Sequence, residues 1–232
     1  MSTIVIGDYV RSATMGRAAN TPYGDLAEYD LARFLTAWPR IHREALGRIG
    51  QERIHPSAFI HPTAIIGEDV IIGPDVHIHE FTTVRKGSFL AAGARIGFNC
   101  EVTACYVGEG AVLGHRIGVN RTIVGAEAHL SASVTVAAIN MSDDMTSPDR
   151  EIFLRTQRGL YRCGTRQFGA PIGDNVQTGN NISLGPGVAI GRRTRINSGV
   201  TLAARAVPGD SIITAPHTAD AHIRRRRTPG GR

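Results

Sequence analysis

From Ile54 onward, every sixth residue is aliphatic: Ile54, Ile60, Ile66, Ile72, Ile78, Val84, Leu90, Ile96 and Val102. About half of average residues are apolar, so nine in nine arises by chance roughly once in 500. The fifth place of each hexad is small or slender (Ala58, Ala64, Val70, Val76, Thr82, Ser88, Ala94, Cys100), and the second is often Gly (Gly67, Gly73, Gly97). The step shortens to five from Val102 to Val107 and again from Val119 to Val124, and otherwise continues through Leu113, Leu130 and Val136. A second block runs Ile172, Thr178, Leu184, Ile190, Ile196, Leu202, with Gly173, Gly179, Gly185 and Gly191 at the second place.

A helix repeats every 3.6 residues and a half-buried strand every two, so neither explains a strict six. A three-sided coil of short parallel strands does. Each side turns one large aliphatic inward, fits one small residue near the corner, and uses Gly or Asn where the chain turns with positive φ. The expected fold is all-β, a left-handed parallel β-helix of about seven coils. A β-sandwich would instead show alternation with turn clusters at varied spacing.

Composition fits this. With 42% apolar residues but only 6% aromatic, the core is mostly aliphatic. No apolar stretch approaches the ~18 residues of a spanning helix, and no basic-then-apolar leader opens the chain. Three cysteines (Cys100, Cys105, Cys163) form no CxxC pair, so a disulfide scaffold and a zinc ribbon are excluded and a reducing cytoplasm is expected. Cys100 takes a core position, whereas Cys105 and Cys163 are expected to be more accessible. Of the formal charge of +6, five units come from Arg224, Arg225, Arg226, Arg227 and Arg232. The body is nearly neutral, so neither a nucleic-acid nor a membrane partner is expected. Lys86 is the only lysine.

The chain divides into an irregular and helical extension (1–53), a first β-helical block (54–138), a long loop excursion (139–170), the last coils (171–215) and a basic tail (216–232). The extension opens on a strand-like Thr3-Ile4-Val5-Ile6. Residues 25–48 read as helical, with Pro39 breaking the run. The excursion is polar and basic, and such loops reach over the grooves between chains.

A single prism offers few grooves, so the expected assembly is a homotrimer with sites between protomers and functional side chains at coil corners. His115, in Leu113-Gly114-His115-Arg116, sits just past a second-place Gly, where a polar side chain points out. Its imidazole suits a general base, or a surface turn. His55 and His61 precede prolines and read as turn residues. His77 and His79 share an outward side. His79 and His115 stand two coils apart, roughly 10 Å, too far for one zinc ion, so no metal is expected. The last coils, with Gly179-Asn180-Asn181 and Asn197-Ser198-Gly199, form a narrow slot whose amides suit an extended pantetheine arm, or are ordinary turns.

From about Glu28 to Pro216 the chain resembles the acyltransferase half of bifunctional sugar-1-phosphate nucleotidylyltransferase/amino-sugar-phosphate acetyltransferases, particularly the archaeal type. The resemblance rests on Glu28-Tyr29-Asp30-Leu31, Phe81-Thr82-Thr83-Val84-Arg85, Gly114-His115-Arg116 with Val124-Gly125-Ala126-Glu127-Ala128-His129-Leu130, and the stretch from Gly164 to Ile182. The segment before Ile54 is too short for that family's nucleotidylyltransferase domain. The resemblance implies an acyl-CoA-dependent N-acyltransferase using acetyl-CoA on an amino sugar, sugar phosphate or nucleotide-linked small molecule. It puts His115 at the catalytic base and Arg85 at the phosphate contact. Thr103 stands where the family often has a substrate-binding lysine, Gly118 where it often has a tyrosine, and His129 in place of a sugar-contacting asparagine. The loop asparagine that touches the acyl group falls on Ala138 or Asn140. Asn180 and Ser198 are the expected cofactor contacts. The alternatives are a β-helical enzyme repurposed for specialised metabolism without CoA, a metal-dependent hydratase, and a non-catalytic trimer.

Overall fold

A computed structural model describes residues 3–215. The basic tail expected at 216–232 lies outside the described residues. The chain winds into a prism of three parallel sheets of eight, seven and seven strands, hence between seven and eight coils. The first sheet runs from Phe59–Ile60 to Ile212–Ile213, the second from Ile65–Ile66 to Thr201–Leu202, and the third from Ile71–Ile72 to Ala206–Val207.

The hexad aliphatics stack in register. Ile60, Ile78, Ile96, Leu113 and Leu130 are directly paired down the first sheet. Ile66, Val84, Val102, Val119, Val136, Leu184 and Leu202 are paired down the second. These side chains and the fifth-place residues form one continuous core. Each fully buried aliphatic contributes about 1.5–3 kcal/mol. Buried hydroxyls at the fifth place are satisfied: Thr82 Oγ1 donates to the Gly97 carbonyl at 2.6 Å, and Ser88 Oγ to that of Arg85 at 2.8 Å.

The corners differ from expectation in one respect. Several left-handed corners hold the expected Gly or Asn (Gly93, Gly110, Asn99, Asn175 and Asn181), but Asp75, Phe81, Arg116 and Ser133 adopt the same conformation. The second-place glycines are needed for close approach of the coils instead. A Cβ on Gly97 would lie 1.7 Å from the Gly114 carbonyl oxygen.

The outer face of the third sheet is covered. Ile71, Phe89, Tyr106, Ile123 and Ala189 point outward from it but pack in a second core with the extension. Tyr23 stacks on Phe89 with ring centroids 4.3 Å apart. Only Val5 of the expected first strand pairs, bridging to Asp30. Short 3-10 turns follow, then helix α1, Leu31–Ile49, whose first turn is capped by Asp30 accepting from the Arg33 amide at 3.0 Å. Pro39 does not break α1. Leu35 and Trp38 before it, and Ile41, His42 and Ala45 after it, are all buried, and that packing outweighs the ~3 kcal/mol proline penalty.

Two buried carboxylates staple the extension to the prism. Glu109 accepts from the Thr14 and Met15 amides at 2.6 and 2.8 Å. Asp174 accepts from the Arg11 and Ala126 amides and lies 3.2 Å from Arg192 Nε.

The excursion contains an antiparallel hairpin, Phe153–Thr156 with Gly159–Arg162. Its apolar side (Leu154, Tyr161) and the flanking Ile152, Cys163 and Phe168 join the second core. The Tyr161 hydroxyl donates to Asp30 Oδ2 at 3.0 Å and accepts from the Ala32 amide at 2.8 Å. Cys163 is therefore buried, and so is Cys105, against expectation. Cys105 fills the fifth place ahead of Val107, where the shortened step still turns its side chain inward.

Candidate active site

The corner between the first and second sheets carries most of the candidate residues. Its middle positions form one column: Glu80, Phe98, His115, Ala132 and Asn180. The amides of Asn99, Arg116, Ser133, Asn181 and Gly199 each donate to the carbonyl of the column residue one coil before, at 2.9–3.0 Å. His115 is exposed at this corner, which follows from Gly114 closing onto the next coil and Arg116 turning with φ 54°. Asn180 lies two coils on, roughly 10 Å from His115, and Ser198 one coil further. Asn180 Oδ1 accepts from the Ala132 amide at 3.1 Å, and Ser198 Oγ accepts from the Asn180 amide at 2.9 Å.

An open groove of about 470 Å³ runs along the outer face of the second sheet beside this column. Thr83, Arg85, Glu101, Arg116, Gly118 and Thr135 line it. Arg85 and Thr103 are paired neighbours on adjacent coils. The Arg85 guanidinium donates to Glu101, its Nε donates to Thr103 Oγ1 at 3.3 Å, and Thr103 Oγ1 donates to Glu101 Oε1 at 3.3 Å. Gly118 leaves the groove floor open, since a Cβ there would meet nothing nearer than Thr135 Cγ2 at 3.8 Å.

The remaining candidates lie elsewhere. His129 is exposed on the outer face of the first sheet, in register with Val112, so one chain does not bring it to Arg85 and Thr103. Asn140 lies in the excursion, where its Oδ1 accepts from the Ser142 amide and hydroxyl at 3.2 and 3.0 Å. It borders a largely apolar hollow of about 510 Å³ with Met141, Phe153, Leu184 and Pro186. That hollow lies farther along the second-sheet face, past the groove. His55 and His61 make the expected turns, each accepting an amide two residues on through Nδ1.

Sequence reasoning missed Glu101 and Phe98. Glu101 is an ordinary outward strand residue until its pairing with Arg85 is seen. Phe98 stands one coil before His115 and meets Phe81 edge-to-face at 5.9 Å. Both rings are exposed, at 39% and 60%. Two corner aromatics on successive coils of an aromatic-poor chain were the available signal.

The thiols offer no nucleophile, because burial raises the pKa of Cys100 and pushes those of Cys105 and Cys163 up to about 12. Among the described residues, no three His, Cys, Asp or Glu side chains gather as a metal site, and no helix is long and apolar enough to cross a membrane.

Residues 48–146 match the GMPPB C-terminal domain family, and residues 170–204 match the bacterial transferase hexapeptide family. The chain is 26% identical over 119 residues to a bifunctional sugar-1-phosphate nucleotidylyltransferase/acetyltransferase of Sulfurisphaera tokodaii, covering 51% of this chain and 28% of that protein. It is 25% identical over 115 residues to the bifunctional protein GlmU of Methanococcus vannielii, covering 50% and 26%. The matches thus span little more than a quarter of these relatives. Among solved structures, a variant of AntD, an N-acyltransferase from Bacillus cereus, aligns at a TM-score of 0.44 and 18% identity, covering 75% of this chain and 84% of that one. Both matched segments fall largely on the stacked hexads, so over them the chain is similar to hexapeptide-repeat proteins.

Proposed function

We propose that this chain transfers an acyl group, acetyl in the first instance, from coenzyme A to the amine of an amino sugar, an amino-sugar phosphate or a nucleotide-linked amino sugar. The observation that carries this reading is the corner column. His115 stands in the column next to Arg116, which lines the Arg85–Glu101 groove, and the same column leads two coils on to Asn180 and three to Ser198. Acceptor and donor would therefore meet at the imidazole.

In this mechanism the acceptor's neutral amine attacks the thioester carbonyl carbon. His115 takes the proton that the nitrogen loses as the C–N bond forms. An N–H beside His115 donates to the oxyanion; the amides of Ala132, Ser133, Asn180, Asn181 and Gly199 already have acceptors within the protomer. The tetrahedral intermediate collapses with loss of the CoA thiolate, which takes up a proton. No metal is required.

The acceptor sits in the groove, with Arg85 and Arg116 toward its phosphate and Glu101 toward hydroxyl or ammonium groups. Arg85 already donates to Glu101, so the groove favours an acceptor that offers donors as well as an anion. With the third sheet covered, the first and second sheets remain for contact between protomers. A homotrimer would bring His129 of one protomer toward the Arg85 groove of the next, and the Asn140 loop over the same cleft. Three free thiols suit a reducing, cytoplasmic setting. The relatives' acetyltransferase names support the same reaction class.

The test is thiol release from acetyl-CoA with a panel of amino sugars, amino-sugar phosphates and nucleotide-linked amino sugars. His115→Ala should lower turnover by at least ~100-fold while leaving assembly mass and Tm unchanged. Equal turnover would overturn the assignment. The second reading, a repurposed enzyme that does not use CoA, draws on the Arg85–Glu101 pair and the open floor at Gly118. It predicts no thermal shift with CoA or acetyl-CoA.

A further inference from the structure

A separate cavity lies at the opposite edge of the second sheet, at the corner leading to the third. It encloses about 310 Å³ between that corner and helix α1, the lower end of the range for small-molecule sites. Three cations from separate elements converge on it: Arg43 from α1, and Lys86 and Arg121 from corners two coils apart. Among the described residues none of the three forms an ion pair, and neither does Asp69, the one acid on the wall. Arg43 and Lys86 are exposed and Arg121 is half-buried, so together they give the cavity a positive potential that favours an anion.

The backbone supports the arrangement. Lys86 and Arg121 adopt left-handed conformations with φ of 54° and 46°, and Ala104 holds the same corner on the coil between them with φ 53°. Such a conformation costs a residue with a side chain about 1–2 kcal/mol. The small Ala104 leaves room between the two long cationic side chains. The opposite wall is apolar, with Trp38, Pro39 and Leu46.

A satisfied hydrogen-bond chain fixes that wall. Trp38 Nε1 donates to the Tyr23 hydroxyl at 3.2 Å, the hydroxyl donates to His42 Nδ1 at 2.8 Å, and His42 Nε2 donates to the Asp69 carbonyl at 2.6 Å. The His42 ring is thus committed to the protein, which leaves the three cations to meet a ligand.

We propose that this cavity binds a phosphate monoester of about mononucleotide size, its phosphate among Arg43, Lys86 and Arg121 and its planar or apolar body against Trp38, Pro39 and Leu46. The site is separate from the His115 corner. Lys86 directly follows Arg85, so an occupant here also bears on the backbone that carries the groove arginine.

The experiment uses the full chain carrying Arg85→Ala, so that a phosphate held in the acceptor groove does not contribute. Lys86 is the only lysine, so its labelling by N-hydroxysuccinimidyl acetate, read by peptide mass spectrometry, reports occupancy at one atom. Adenosine 5′-monophosphate should slow that labelling at least ~fivefold and bind by calorimetry. Arg43→Ala or Arg121→Ala should weaken binding about tenfold, and inorganic phosphate should bind more weakly than the nucleotide. Unchanged labelling at millimolar nucleotide, or binding insensitive to both substitutions, would overturn the proposal. Phosphate binding as tightly as the nucleotide would overturn its apolar half. Loss of thiol release in His115→Ala bears on the acyl transfer alone, so the two readings fail separately.

Discussion

His115 and Asn180 stand in one corner column two coils apart, with only the methyl group of Ala132 between them. The Ser133 amide donates to the His115 carbonyl and the Asn181 amide to that of Ala132, which fixes the order of the column. The alanine offers only a methyl group to a donor running along the corner.

Filling that position tests the donor's route. Ala132→Phe places an aromatic ring between His115 and Asn180 on an outward corner. The KM for acetyl-CoA should rise at least ~tenfold with Tm within a few degrees of the parent. Steady-state kinetics at saturating acceptor would read this, and an unchanged KM would put the donor elsewhere.

The Arg85–Glu101 contact sets the polarity of the groove. Glu101→Gln removes the negative charge but keeps a hydrogen-bond acceptor. Affinity for phosphate-bearing acceptors should increase about three- to tenfold, because Arg85 is released, while non-phosphorylated amino sugars should lose affinity. A parallel change for both acceptor classes would show that Glu101 does not govern Arg85.

Much of this architecture was legible in the sequence. The spacing of Ile60, Ile78 and Ile96 alone stacks them, and they pair directly, because one inward aliphatic per side is the condition for closing a three-sided coil. The exposed corner at His115 followed from the preceding Gly. What escaped depends on contacts that no period encodes. Tyr23 on Phe89, Tyr161 on Asp30 and Glu109 on the Thr14 amide each join residues far apart in the chain. They turn an irregular extension and a polar-looking excursion into a second core. Pro39 signalled a helix break by local chemistry, and burial on both sides overrode it. The resemblance assigns His129 and Arg85 to one substrate site, yet they occupy different faces of one prism.

The second-place glycines have a stability consequence. Gly97→Ala would put a methyl group 1.7 Å from the Gly114 carbonyl oxygen, so the two coils must separate next to His115. A loss of about 2–4 kcal/mol is expected, which lowers Tm by roughly 5–15 °C. Calorimetry of the variant would measure it, and an unshifted Tm would mean that the coils part freely.

His42 makes folding sensitive to acid. Burial lowers its pKa below the usual value of 6.5, against a smaller opposing effect of its bond to Asp69. The unfolded chain therefore takes up a proton at a pH where the folded chain does not. Its contribution is present above about pH 6.5 and is lost as the pH falls from there toward the lowered folded value. Denaturant unfolding between pH 7.5 and 5 should show stability falling on acidification, with a shallower slope in His42→Gln. Equal slopes would place the acid sensitivity in other groups.

The most direct measurement is a crystal structure of the protein with acetyl-CoA bound. The thioester should lie within hydrogen-bond reach of the His115 imidazole, with the pantetheine arm running along the corner past Ala132 toward Asn180 and Ser198. Acetyl-CoA bound on another face, or with its thioester far from His115, would contradict the account.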